Sequence, residues 1–180
     1  MEGITEDEIK RYLYLLDQSR SNENQARFDA EAEINDTVSK DIIRSIFIFA
    51  TIILRDGISS PLVYLSLVWI KNIFTPFPPT TEDDIAQVWF GVDKSDREKV
   101  KMALIRGLML PEPQISLVTA LAFSALLNIE KMEMFDLIQK LYQIYESSEY
   151  SGLTKAASIN VLAEISTKKS LGGHTETEEV

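Results

Sequence analysis

Two segments, 61–74 (PLVYLSLVWIKNIF) and 114–128 (QISLVTALAFSALLN), are apolar on nearly every side of a helix, and this limits the possible folds more than any other feature of the chain. A helix with one apolar stripe can lie on a surface, but one that is apolar all round must be enclosed by neighbours. A helix needs roughly 20 apolar residues to cross hydrocarbon. The apolar runs 45–54 and 61–70 are shorter and are flanked by Arg44, Arg55, Asp56 and Lys71. These segments are expected to be core helices sandwiched inside a stack, with no membrane partner.

The remaining elements follow from caps and breaks. Thr5-Glu6-Asp7-Glu8 has the form of a capping box and opens a helix to about residue 17, with Ile9, Tyr12, Leu13 and Leu16 inward. A second helix, 23–35, is expected to bury only Ala26, Phe28, Ala30 and Ile34, as the amphipathic element at the open end of an array. A third, 38–55, is closed by Asp56-Gly57, with glycine suited to the left-handed cap. Ser60-Pro61 reads as N-cap and first position of the fourth. Thr75 to Pro79 break the chain. A short helix, 82–90, places Ile85, Val88 and Trp89 inward. Ser95-x-x-Glu98 reads as a second capping box for a helix to about 109, with Val100, Ala103, Leu104 and Leu108 inward. Helices at 114–128, 132–146 and 153–167 complete the set, and the polar tail from Lys168 is expected to be disordered.

Amphipathic and all-apolar helices alternate in pairs, at 1–36, 37–80, 81–128 and 129–167, a period near 40 residues. Units of this kind bury their faces only by stacking. Periodicity alone allows either such an array or a globular helical bundle.

Composition narrows the function. The net charge of −10 disfavours nucleic acid and favours basic protein surfaces. Without cysteine there are no disulfides or thiolate metal sites, and the N-terminal residues show no basic and apolar secretory pattern. The only histidine, His174, lies in the tail, away from every helix. Glu82-Asp83-Asp84 begin a helix and are stabilised by its dipole rather than forming a catalytic pair. No phosphate-cradling glycine loop or nucleophile elbow is present. No enzyme activity, cofactor or metal is therefore expected. Lys94, Arg97, Lys99, Lys101 and Arg106 alternate with acids and read as a solvated helix face. Trp69, Phe74, Trp89 and Phe90 read as core, and Met102, Met109, Met132 and Met134 as gap-fillers.

The order of pieces from Ile70 to Lys101 carries a family resemblance. An apolar helix ends LVWIKNIF (67–74), a proline break follows, then VWFGVD (88–93) and the basic helix SDREKVKMALIRGL (95–108). Further on come the apolar ISLVTALAFSALLNIE (115–130) and the small-residue TKAASINVLAEIS (154–166). Together they resemble the N-terminal HEAT repeats of the importin-β (karyopherin-β) family. The resemblance implies an all-α superhelix, a HEAT-repeat solenoid of about four helix pairs over residues 1–167. First helices of each pair would line the convex face and second helices the concave one, which in that family grips Ran in its GTP-bound state. Lys71 and Asn72 match the family's motif near that surface; as bare residues they also fit a helix C-terminus. Trp89 and Asp93 match as fold-keeping residues. The implied function is a noncatalytic nuclear import module moving between cytoplasm and nucleus, with Ran-GTP as partner. Nucleoporins and an importin-α-like adaptor are further partners of the family, but the later repeats that hold them have no counterpart in 180 residues. The alternative is a generic HEAT-repeat adaptor for an unrelated protein.

Overall fold

The computed structural model describes residues 3–76, 80–130 and 135–172, as backbone only for 135–137 and 164–172. Among these residues there are nine α-helices and no strand. In chain order they are α1 (Glu6–Gln18), α2 (Asn24–Lys40), α3 (Ile42–Leu54), α4 (Ser60–Phe74), α5 (Glu82–Phe90), α6 (Lys94–Met109), α7 (Pro113–Glu130), α8 (Phe135–Glu146) and α9 (Gly152–Gly172).

Neighbouring helices pair as α1 with α2, α3 with α4, α6 with α7 and α8 with α9, and the pairs stack. First helices form one layer, α1 on α3 and α3 on α6. Second helices form the other, α4 on α7 and α7 on α9. The short α5 fills the corner against α4 and α7. The all-round apolar α4 and α7 are therefore adjacent in one layer and enclosed from both sides, as their composition requires. Helix α7 alone among the described helices is long and apolar enough to cross a membrane, yet 67% of its apolar window is buried by its neighbours. One continuous core runs from Ile9 to Val161.

Start signals hold at α1, where Thr5 Oγ1 accepts from the Glu8 amide and Glu8 Oε2 accepts from the Thr5 amide at 2.7 Å. Gly57 has φ +79° after α3, the left-handed value that glycine tolerates. Several boundaries differ from the sequence reading. Helix α2 runs on to Lys40, because no Gly or Pro stops it and because Thr37 and Ser39 return their hydroxyls to the carbonyls of Glu33 and Asn35, both at 2.8 Å. Asp41 is the break, its carboxylate accepting from the Arg44 amide at 2.9 Å to start α3. Helix α4 begins one residue early, with Ser59 as N-cap; the Ser60 hydroxyl instead donates to Glu112 Oε1 at 2.5 Å, joining the starts of α4 and α7. Helix α6 begins at Lys94 with Asp93 as N-cap, so Ser95 lies inside the first turn and forms no capping box. The second box is at α5, between Thr81 and Asp84. Helix α9 extends to Gly172, past the start of the expected tail, and 173–180, with His174, lie outside the described residues.

Burial corrects the inward assignments at three positions, among them Phe90, which the sequence reading places in the core and which is 43% exposed. Phe28 is 60% exposed, with the Arg27 guanidinium 5.5 Å from its ring, and Val88 is also exposed. Met102 and Met109 are exposed on α6 rather than filling core gaps, while Met132 and Met134 lie outside the described residues.

Ion pairs bind the first helix to the third. Arg44 donates to Glu8 at 2.6 and 2.9 Å, Arg55 to Glu6 at 2.9 and 2.6 Å, and Tyr12 shares a hydrogen bond of 2.9 Å with Ser45. The Arg44 guanidinium, with the Thr5 amide and hydroxyl, lowers the Glu8 carboxyl from 4.5 to about 2. A carboxyl depressed by folding stabilises above its unfolded pKa and loses that contribution as pH falls through its folded one. The stability difference between the native chain and Glu8→Gln is thus expected to be constant above about pH 5 and to shrink between the ordinary 4.5 and about 2. Urea midpoints of both proteins across that range measure it.

Candidate protein-binding face

The layer of second helices is not closed everywhere, and two of its gaps are shaped by side-chain size. Between α7 and α9 lies a groove of about 430 Å³, because the α9 wall is built from Ala156, Ala157 and Ala163, too short to fill the space opposite Leu117 and Leu121. Leu117 is 61% exposed there. Ser116 lies at the same groove with its hydroxyl buried and without a hydrogen-bond partner. Between α2 and α4 is a second groove, of about 340 Å³, with Val38, Trp69 and Ile73 as floor and Asn35, Ser39 and Asn72 among its polar residues. Together these grooves give the face apolar recesses with amide and hydroxyl groups beside them, which suits a protein surface better than a small charged substrate.

The sequence-derived positions fall as follows. Lys71 and Asn72 end α4, where the Asn72 carbonyl accepts from the Thr75 amide at 3.2 Å and Lys71 Nζ donates to Asn72 Oδ1 at 3.3 Å. The Asn72 side chain lines the α2–α4 groove, while Lys71 is half-buried and outside it. Trp89 is fully buried, edge-on to Phe74 with ring centroids 5.1 Å apart. Asp93 is exposed; its carbonyl accepts from the Asp96 and Arg97 amides at 3.0 and 3.1 Å, and its carboxylate makes no capping bond. The structure therefore separates the two pairs. Lys71 and Asn72 lie at the surface of the second-helix layer, and Trp89 lies in the core behind it.

What the sequence reading missed is the ionic cluster holding Trp89. Its indole Nε1 donates to Glu130 Oε1 at 2.8 Å, Lys101 Nζ lies 2.6 Å from Glu130 Oε2, and Arg97 Nη1 lies 3.7 Å from Oε1. The Glu130 side chain is 0% exposed. Arg97 also covers Phe90, its guanidinium 5.1 Å from the ring. Arg97 and Lys101 thus leave the solvated face assigned to them, whereas Lys99 pairs with Asp96 and Arg106 with Asp56 at the surface. The signal was present: Arg97 and Lys101 share the stripe of Val100, Leu104 and Leu108, and a buried indole N–H requires an acceptor.

Among the described residues, no group of three or more His, Asp or Glu side chains is arranged to hold a metal ion. Of the first-turn acids of α5, Asp84 caps the helix start. Asp84 accepts from the Thr81 amide and hydroxyl, both at 2.8 Å, and these bonds lower its carboxyl pKa.

No protein-family model and no curated protein matches the chain. Solved structures do. A Kap95p chain, from a study of Kap95p binding that induces the switch loops of RanGDP to adopt the GTP-bound conformation, superposes with TM-score 0.76 at 17% identity over 87% of this chain. Yeast importin-β (Kap95p) gives TM-score 0.71 at 15% identity over 87%, and Kap95 in complex with Nup1 gives 0.76 at 16% identity over 95%. This chain spans only 19–22% of their lengths. The arrangement of stacked helix pairs is therefore an all-α superhelix with the fold of the importin-β helical repeats.

Proposed function

We propose that the chain is a noncatalytic module of the nuclear-transport-receptor type, which holds a protein partner on its second-helix face. Its four helix pairs serve as HEAT repeats, at about residues 1–36, 37–80, 81–128 and 129–167. The observation that carries this reading is the superposition on Kap95p, a protein solved with Ran in one case and with Nup1 in another, together with the Ile70–Lys101 order of motifs. The partner proposed first is GTP-loaded Ran, with Lys71 and Asn72 in the contact and Trp89 and Asp93 keeping the fold behind it. A nucleoporin is the second kind of partner, and the setting is protein import between cytoplasm and nucleus. The net charge of −10 favours a basic partner for the chain.

Calorimetric titration of the chain with Ran loaded with GTP, and separately with GDP, tests the reading. Binding that is tighter for the GTP form, and weakened by Asn72→Ala or Leu117→Glu, is the expected result. No binding of GTP-loaded Ran overturns it.

A further inference from the structure

The turn between α3 and α4 brings a carboxyl, a glycine amide and open space together. Asp56-Gly57 is the one place in the sequence where glycine follows an aspartate or an asparagine. The Asp56 side chain is 94% exposed and is held from α6, where Arg106 Nη2 donates to its Oδ1 at 2.6 Å. Gly57 stands at φ +79°, and a Cβ built on it would meet nothing within 4 Å. Its amide N–H donates no backbone hydrogen bond. The other described aspartates lack this combination. Asp17, Asp29 and Asp36 lie inside helices, Asp41 and Asp84 spend their carboxylates on backbone amides at helix starts, and each is followed by a residue with a side chain. An amide nitrogen one residue on reaches an aspartyl carboxyl carbon by closing a five-membered ring. Glycine eases that approach, because no Cβ obstructs it and its backbone turns freely.

We infer that Asp56-Gly57 is a modification site, at which the folded chain forms isoaspartate spontaneously. The Gly57 nitrogen attacks Cγ of the protonated Asp56 carboxyl. The N–Cγ bond forms, the amide proton and the carboxyl hydroxyl leave together as water, and a succinimide closes. Water then opens the ring at either carbonyl. Opening at Cγ restores aspartate; opening at the Asp56 main-chain carbonyl leaves the chain running through Cβ, with the α-carboxylate as the side group. The water lost in the first step is regained in the second, so the reaction needs no oxidant, reductant or enzyme. The product lengthens the α3–α4 connection by one carbon and displaces the carboxylate that Arg106 holds. Arg106 is therefore a brake, since its ion pair turns the carboxyl toward α6. The brake is weak, because a pair this exposed contributes little. None of this depends on which partner the second-helix face binds.

The whole chain, kept folded at neutral pH and body temperature over weeks, is probed with an isoaspartyl carboxyl methyltransferase and labelled S-adenosylmethionine, and peptide mapping locates the label. The expected result is label at position 56 ahead of every other aspartate and asparagine, with the peptide carrying Asp56-Gly57 splitting into two peaks of equal mass. Asp56→Glu would have to close a six-membered ring and is expected to abolish the label there, with helical circular dichroism unchanged because the side chain is exposed. Arg106→Gln is expected to speed the conversion about two- to fivefold, the factor that an exposed ion pair supplies. A synthetic peptide of residues 53–60 is the control for the chemistry. A folded chain free of isoaspartate at position 56 while that peptide converts, or isoaspartate that forms first elsewhere in the chain, overturns the proposal.

Discussion

Glu130→Ala is expected to destabilise the chain by about 3–5 kcal/mol, lowering the thermal midpoint by about 6–20 °C, because it removes the buried carboxylate that faces Lys101 and Arg97 and accepts from the Trp89 indole, leaving Lys101 only the part-exposed Glu98 at 3.1 Å. Lys101 is 4% exposed and Arg97 8% at the side chain. The loss reflects the uncompensated desolvation of buried charge and of the Trp89 indole N–H more than the net worth of the pair. The account therefore predicts an asymmetry. Glu130→Met combined with Lys101→Met and Arg97→Leu replaces the whole cluster by apolar volume and is expected to recover most of the loss. Trp89→Ala, which opens a cavity beside Phe74 and removes the donor, is expected to cost a similar 3–5 kcal/mol by the ordinary cavity rule. Chemical denaturation of the set, read by circular dichroism, checks all three.

The second large effect is predicted where α6 crosses α7. A Cβ built on Gly107 would stand 2.6 Å from Thr119 Oγ1, 3.1 Å from Thr119 Cγ2 and 3.4 Å from Leu67 Cδ1. None of these neighbours yields easily. Thr119 is fully buried, β-branched and committed through its hydroxyl to the Ile115 carbonyl at 2.7 Å, and Leu67 is fully buried on α4. Three helices meet at this point, so one methyl group separates α6 from α7 and disturbs α4. Gly107→Ala is expected to cost about 1–3 kcal/mol despite alanine's better helix propensity. Thr119→Ala in the same chain removes both clashing atoms, so the double variant is expected to be more stable than Gly107→Ala alone. A double variant that simply adds the two losses would show that the crossing is looser than described.

The fold was legible in the sequence where the chemistry was local or strongly periodic. The all-round apolar character of α4 and α7 forced them inside, and the structure sets them side by side. The Thr5 box and the Gly57 cap stand where residue type and spacing put them. Misplaced starts came from competition between side chains: Ser60 turned to Glu112, and at α6 the Asp93 carbonyl took the first-turn amides before Ser95 could. Helix α2 outran its expected end because back-bonded hydroxyls replaced a stop signal.

The candidate face was harder to read. Its grooves depend on which residues face each other across α7–α9 and α2–α4, and a sequence does not display that register. The small residues of α9 were visible, but not what they stand opposite. The Glu130 cluster escaped because charge was read as exposure, although Arg97 and Lys101 sit on the core stripe of α6. Composition alone favours solvent for such residues. A stripe that continues through a charged position carries more information than the charge.

Hydrogen exchange of the chain, alone and with GTP-loaded Ran, tests the central claim most directly, because it reports which layer the partner covers. The account predicts slowed exchange in α4 and α7 on the second-helix face, with α3 and α6 unchanged. Protection confined to α3 and α6, or no protection anywhere at saturating Ran, would contradict it.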